Sequence, residues 1–192
     1  MEVVTKEHCF VCFETIENQL KGTNLHKALD AIKEKFPNTS YPLFCTWFKD
    51  GDLRGCIGTF SSMKMPDGLV RYSKIAAFQD DRFSPMKADE IPKLKCEVSF
   101  LHSFEKCSNL DDWEIGKHGT IFEYNGHNST FLPEVAQEQG WTKKETIAEL
   151  AYKSGIYHKL SQKELDKVSL QRYQSAHIEV TYQDYVDYEN SK

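Results

Sequence analysis

The sequence predicts an α+β fold, a mainly antiparallel sheet with packed helices, on three observations. Two hairpin signals punctuate the chain: Lys49-Asp50-Gly51-Asp52 between aromatic and β-branched runs, and Asn125-Gly126 between Thr120–Tyr124 and Ser129–Leu132. Strands joined that tightly pair antiparallel. Apolar residues three and four apart, as at Cys9, Phe13, Ile16 and Leu20, mark helices with one buried face.

Taken in order, Thr5 caps the first helix and Gly22 ends it. Leu25 to Phe36 is expected as a short second helix and Pro37-Asn38-Thr39-Ser40 as a loop. Tyr41 to Phe48 and Leu53 to Phe60 form the first hairpin. Pro66-Asp67-Gly68 is a turn before a helix over Leu69 to Phe78, where Val70, Lys74, Ala77 and Phe78 fall at helical spacing. Asp80 to Met86 is a loop in which Asp80 and Arg82 can pair. In Leu94 to Phe104, Leu94, Cys96, Val98, Phe100 and His102 alternate with Lys95, Glu97 and Ser99, the pattern of a half-buried strand. Pro133 suits the first position of a short helix, on which Glu134 and Glu138 share a face as solvated or dipole-stabilising carboxylates. Thr142-Lys143-Lys144-Glu145 is a capping box, followed by a buried stripe of Ile147, Leu150 and Ala151 up to Ser154-Gly155. Val168 to Tyr173 and His177 to Tyr182 are expected as two strands. The acidic tail from Asp184 is expected to fray, with Tyr185 and Tyr188 holding part of it.

A chain of 192 residues, 40% hydrophobic and 28% charged, fits one domain with a substantial core. Its net charge of -5 and the lack of a Lys/Arg cluster argue against a nucleic-acid partner. Met-Glu-Val-Val-Thr-Lys-Glu-His is no secretory signal, and no apolar run reaches the ~18 residues of a membrane span. No membrane partner is expected, and the location expected is intracellular, in cytoplasm or nucleus. The six cysteines are then expected to stay reduced. Cys9-x-x-Cys12 invites a zinc or redox reading, but no second pair follows at ligand spacing, and the motif lies inside a helix. Both thiols are assigned to packing, and no metal is expected.

The stretch carrying chemistry is Leu53-Arg54-Gly55-Cys56-Ile57-Gly58-Thr59-Phe60. Strict alternation puts Arg54, Cys56, Gly58 and Phe60 on one face. A cation beside a thiol favours the nucleophilic thiolate, and glycines within a strand mark close approach by a ligand or another backbone. Cys56 is thus a candidate nucleophile, and His118, in the glycine-flanked turn Trp113–Gly119, a candidate base. Arg54 and Arg82 are candidate clamps for a carboxylate or phosphate, with Gly55, Gly58 and Glu134 completing the expected ligand site. The same residues also read as packing: a buried Cys in a kinked strand, with Arg54 reaching solvent or a carboxylate.

Leu53-Arg54-Gly55-Cys56-Ile57-Gly58, Asp80-x-Arg82-Phe83-x-Pro85-Met86, Trp113-Glu114-Ile115-Gly116-x-His118-Gly119 and Phe131-Leu132-Pro133-Glu134-Val135-Ala136-x-Glu138-Gln139-Gly140-Trp141 follow one another in an order that resembles the AMME-syndrome critical-region protein family, in its eukaryotic form. The resemblance runs from Val4 to Tyr185, so the whole chain is expected as one such domain. It departs from archaeal members at Ile156-Tyr157-His158. The resemblance implies an α+β fold with a larger and a smaller lobe and a cleft between them, and no settled reaction or cofactor. The expected function is binding of a small anionic ligand or substrate in a cleft near the Arg54–Gly58 strand, with thiol-based catalysis as an extension. A protein-binding scaffold that does no chemistry is the alternative.

Overall fold

The computed structural model describes residues 3–192. In chain order it contains α1 (Lys6–Lys21), α2 (Lys27–Lys35), β1 (Ser40–Lys49), β2 (Asp52–Lys64), α3 (Asp67–Phe78), a 3-10 turn (Ala88–Lys93), β3 (Leu94–Lys106), β4 (Gly119–Tyr124), β5 (His127–Phe131), α4 (Pro133–Gln139), α5 (Lys143–Lys153), α6 (Gln162–Leu165), β6 (Ser169–Thr181) and α7 (Tyr182–Asn190). The strands hydrogen-bond in the order β2-β1-β3-β6-β4-β5. β1 runs antiparallel to β2 and β3, and β4 to β5 and β6, as the α+β reading requires. Contacts divide the chain into two units, one reaching to Leu101 and resuming at Ala176–Lys192, the other His102–Ser175.

In the first and larger unit, α1 buries the expected stripe: Cys9, Phe13 and Ile16 are inaccessible to solvent. Gly22 ends the helix at φ 67°, a left-handed conformation glycine adopts without penalty. Phe13 lies edge-on to Trp47 of β1 and stacks on Tyr185 of α7. Trp47 can be buried because its indole N–H donates to the Ser73 carbonyl at 3.1 Å. The expected fraying tail is instead a capped helix: Thr181 Oγ1 accepts the Asp184 N–H, and Lys27 Nζ donates to the Tyr188 and Ser191 carbonyls. Burying Tyr185 on α1 anchors that helix, which its acidity alone does not predict.

In the second unit β4 and β5 meet at Asn125-Gly126, both at positive φ, the two-residue turn that suits strand twist. Trp113, Phe122, Ile147, Leu150, Ile156 and Leu170 form its core. β5 starts two residues before the expected Ser129, because ladder bonds extend to the turn whatever the side-chain polarity. Continuity of the same kind makes β6 one strand where the sequence suggested two. The 3-10 turn and α6, unforeseen from periodicity, are too short to carry a pattern. Each is set by a cap: Glu90 accepts the Lys87 N–H, and Ser161 accepts that of Glu164.

His8 sits at the third position of α1, where its Nδ1 accepts the Thr5 N–H at 2.9 Å. Its ring lies between Phe36 and Phe100, at 4.7 and 5.0 Å between centroids. Burial pushes its pKa down from 6.5 to about 4. The unfolded chain therefore takes up a proton below 6.5 that the folded chain refuses, so stability is full above that pH and drains away towards pH 4. Urea denaturation should show about 2 kcal/mol less stability at pH 5 than at pH 7.5 from this group. His8→Gln, which keeps the cap, should flatten that difference; an unchanged slope would show that His8 does not carry it.

Candidate functional site

The β1–β2 register pairs Phe48 with Leu53 but Trp47 with Gly55, leaving Arg54 as an extra residue in β2. That bulge breaks the strict alternation expected for this strand, and it re-aims the side chain it releases. Arg54 is only 8% exposed. Its Nε donates to Glu90 Oε1 at 2.9 Å and its Nη2 to Glu90 Oε2 at 3.2 Å, while Nη2 also reaches the Ser84 carbonyl at 2.7 Å. Glu90 also receives Lys49 Nζ and the Lys87 N–H. The Arg54 fork, with Lys49 behind it, holds the Glu90 carboxyl down at about 2. Arg54 Nη1 is buried and has no acceptor.

A second fork stands beside it. Arg82 Nε donates to Asp80 Oδ1 at 2.9 Å and Nη2 to Oδ2 at 2.7 Å, the pairing read from the loop sequence. Asp80 Oδ2 also accepts the Cys56 N–H, and Arg82 Nη2 donates to the Cys56 carbonyl at 3.1 Å. Asp80 is buried, and Arg82 holds its carboxyl far below the usual carboxylate range, while the Arg82 side chain stays 53% exposed.

The Cys56 thiol is half-buried and receives the Thr46 hydroxyl at 3.1 Å. Arg54 was expected to activate it, but that guanidinium is committed to Glu90 and Ser84. Burial pushes the Cys56 thiol up, with Thr46 and Arg82 offsetting only part. The glycines are explained by the protein's own chain. A Cβ at Gly55 would overlap the Ala76 carbonyl of α3, and one at Gly58 would overlap the Leu43 carbonyl and the Phe44 ring.

Arg54, Gly55, Cys56, Gly58 and Arg82 thus gather in the first unit, whereas His118 and Glu134 belong to the second. His118 is not presented by its turn as expected. It is 7% exposed, and its Nδ1 accepts the Glu114 N–H at 2.9 Å while its own N–H returns to the Glu114 carbonyl. Burial, then Arg172 and Lys117, push its pKa down, so the ring closes the turn as a neutral acceptor. Glu134 is exposed in the first turn of α4, where a carboxylate favours the helix dipole.

The sequence reading missed two features. The second unit encloses a cavity of about 730 Å³ with Lys106, Lys143, Lys144 and Lys159 at its walls and Ile147 and Leu160 among its apolar lining. Its lysines come from separate segments, and the one adjacent pair reads as part of a helix cap. In the first unit Cys12, Cys45 and Cys96 converge with metal-ligand spacing, although no second Cys-x-x-Cys follows the first.

A sequence model of the AMMECR1 family matches residues 9–178. The chain belongs to the AMMECR1 family. Uncharacterised proteins of Arabidopsis thaliana and Schizosaccharomyces pombe are 33% and 36% identical to it, over 98% and 94% of this chain and 90% and 95% of their own lengths. A Methanocaldococcus jannaschii protein is 34% identical over 73% of each chain. The crystal structure of an uncharacterised Pyrococcus horikoshii protein shares the fold, with a TM-score of 0.68 and 22% identity over 93% of this chain and 94% of that one. All four motifs that suggested the AMMECR1 family lie inside the matched span.

The close approach at Gly55 sets a direct expectation. Gly55→Ala should cost about 2 kcal/mol or more, since the obstacle is backbone that must move. Thermal denaturation reads this, and a variant that melts with the parent would show that α3 is not held against this strand.

Proposed function

We propose that this AMMECR1-family protein binds a small anionic molecule with an apolar body in the cavity of its second unit. The observation carrying this reading is the lining itself: an apolar floor with four lysines against two aspartates, Asp111 and Asp166. The volume is that of a small-molecule pocket, and the charge pattern selects a carboxylate or phosphate headgroup. Lys143 already donates to the Asp111 carbonyl, which leaves Lys106, Lys144 and Lys159 as the principal headgroup partners. Laurate, followed by displacement of an anilinonaphthalene sulfonate dye, is a suitable probe. Ala148, exposed at the cavity wall, can be enlarged without touching the core. Ala148→Trp should weaken laurate binding at least tenfold, about 1.4 kcal/mol. The double variant Lys144→Glu/Lys159→Glu should weaken it as well and flatten its salt dependence. Laurate that fails to saturate a site, or binds both variants as it binds the parent, rules the cavity out. Failure of every small probe leaves the scaffold reading.

A second site for a small anion is favoured by one observation, the buried Arg54 Nη1 that lacks an acceptor. With the exposed side of Arg82 and half-buried Cys56 close by, an anion such as inorganic phosphate is the chemistry suited to that strand. Thiol catalysis at Cys56 is not part of this reading, because burial keeps the thiol protonated near neutral pH. Iodoacetamide at pH 7.5 should alkylate Cys56 more slowly than in denatured protein, and inorganic phosphate should slow it a further several-fold. Arg82→Ala should abolish that protection. Labelling indifferent to phosphate removes the second site, and labelling faster than in denatured protein restores Cys56 as a nucleophile.

A further inference from the structure

Four cysteines meet in the core of the first unit on three elements: Cys9 and Cys12 on α1, Cys45 on β1 and Cys96 on β3. All four are inaccessible to solvent. The ligand atoms of Cys12, Cys45 and Cys96 lie within 4.8 Å of one another, and Cys12 and Cys45 are 3.9 Å apart, sulfur to sulfur. A trigonal ion with metal–sulfur bonds of about 2.3 Å needs sulfurs about 4 Å apart, so the triangle requires little adjustment. Cys9 stands outside it, its thiol donating to the Ile178 carbonyl at 3.3 Å.

We propose that Cys12, Cys45 and Cys96 form a three-sulfur site for a soft monovalent cation, copper(I). Ligand number decides the choice of metal. Structural zinc takes four ligands, and the fourth thiol here is turned to a carbonyl, whereas thiolates in a dry apolar pocket suit copper(I) at low coordination. Binding exchanges S–H bonds for copper–sulfur bonds and releases the thiol protons to solvent, with no change in oxidation state. Entry must precede the seating of α1, because that helix closes the site from one side. The ion therefore acts as a structural tie between α1 and the two strands, independent of the cavity in the second unit.

The full chain should be refolded without oxygen in the presence of copper(I) and then passed over a copper(I) chelator. The expected result is about one copper retained per chain, a near-ultraviolet sulfur-to-copper band, and a higher melting temperature than protein refolded without metal. X-ray absorption should show three sulfur neighbours at about 2.3 Å. Cys45→Ala should lose the band and the melting shift, while Cys56→Ser and Cys107→Ser, outside the triangle, should keep both. If Cys45→Ala does not fold, the absorption spectrum of the parent decides alone. Loss of copper to the chelator, retention of the band by Cys45→Ala, or a coordination number other than three sulfurs overturns the proposal. So does tight retention of zinc on four sulfurs when both metals are offered.

Discussion

The buried fork between Arg54 and Glu90 is the constraint on which the first unit's chemistry depends. The bulge in β2 releases Arg54 from the ladder, Glu90 captures it from the 3-10 turn, and Lys49 of β1 closes on the same carboxylate. The two strands of one hairpin and a turn 36 residues beyond Arg54 are thereby fixed by one carboxyl group. Such an arrangement is valuable less for its net energy than for its intolerance of alternatives, because removing Glu90 strands the buried Arg54 guanidinium without its carboxylate. The Arg82–Asp80 fork repeats the logic one step along, and by holding both the N–H and the carbonyl of Cys56 it locks the strand backbone to the loop.

This explains why Arg-Gly-Cys-Ile-Gly reads as a site and is first of all a joint. Gly55 is needed so that α3 can lie with its Ala76 carbonyl against the strand, and Gly58 so that β1 can pass. Arg54 has to be an arginine because a fork is required to grip Glu90 and the Ser84 carbonyl together. What the joint does not use is Nη1, a buried donor left without an acceptor.

Hairpins, helix stripes and the capping box at Thr142 were legible in the sequence because each is set by residues within a dozen positions of one another. The bulge was not, since nothing local to Leu53–Gly55 shows which residue β1 will leave unpaired. His118 was misread for a related reason: flanking glycines suggest exposure, while the Glu114 N–H four residues back turns the ring inward. α7 was hidden because its acidic composition outweighs Thr181 and Tyr185 in any local reading, although those two residues cap and anchor it. The cysteine triangle was the hardest to foresee. Its three members lie on α1, β1 and β3, and only the finished sheet brings them together.

Net charge says little about a local site. Charge acts over about a Debye length, near 8 Å in physiological salt, so a pocket responds to its own walls even in a chain at -5. Some of the acidic residues elsewhere are paired: Glu17 to Lys21, Glu7 to Lys35, Glu90 to Arg54, and Asp112 with Glu105 to Arg172. Paired charges of that kind cancel at short range. The lysines of the second unit's cavity, Lys144 and Lys159 among them, stand at its wall beside apolar side chains such as Ile147 and Leu160. An acidic net charge therefore does not by itself exclude an anion from a pocket whose own walls carry lysines.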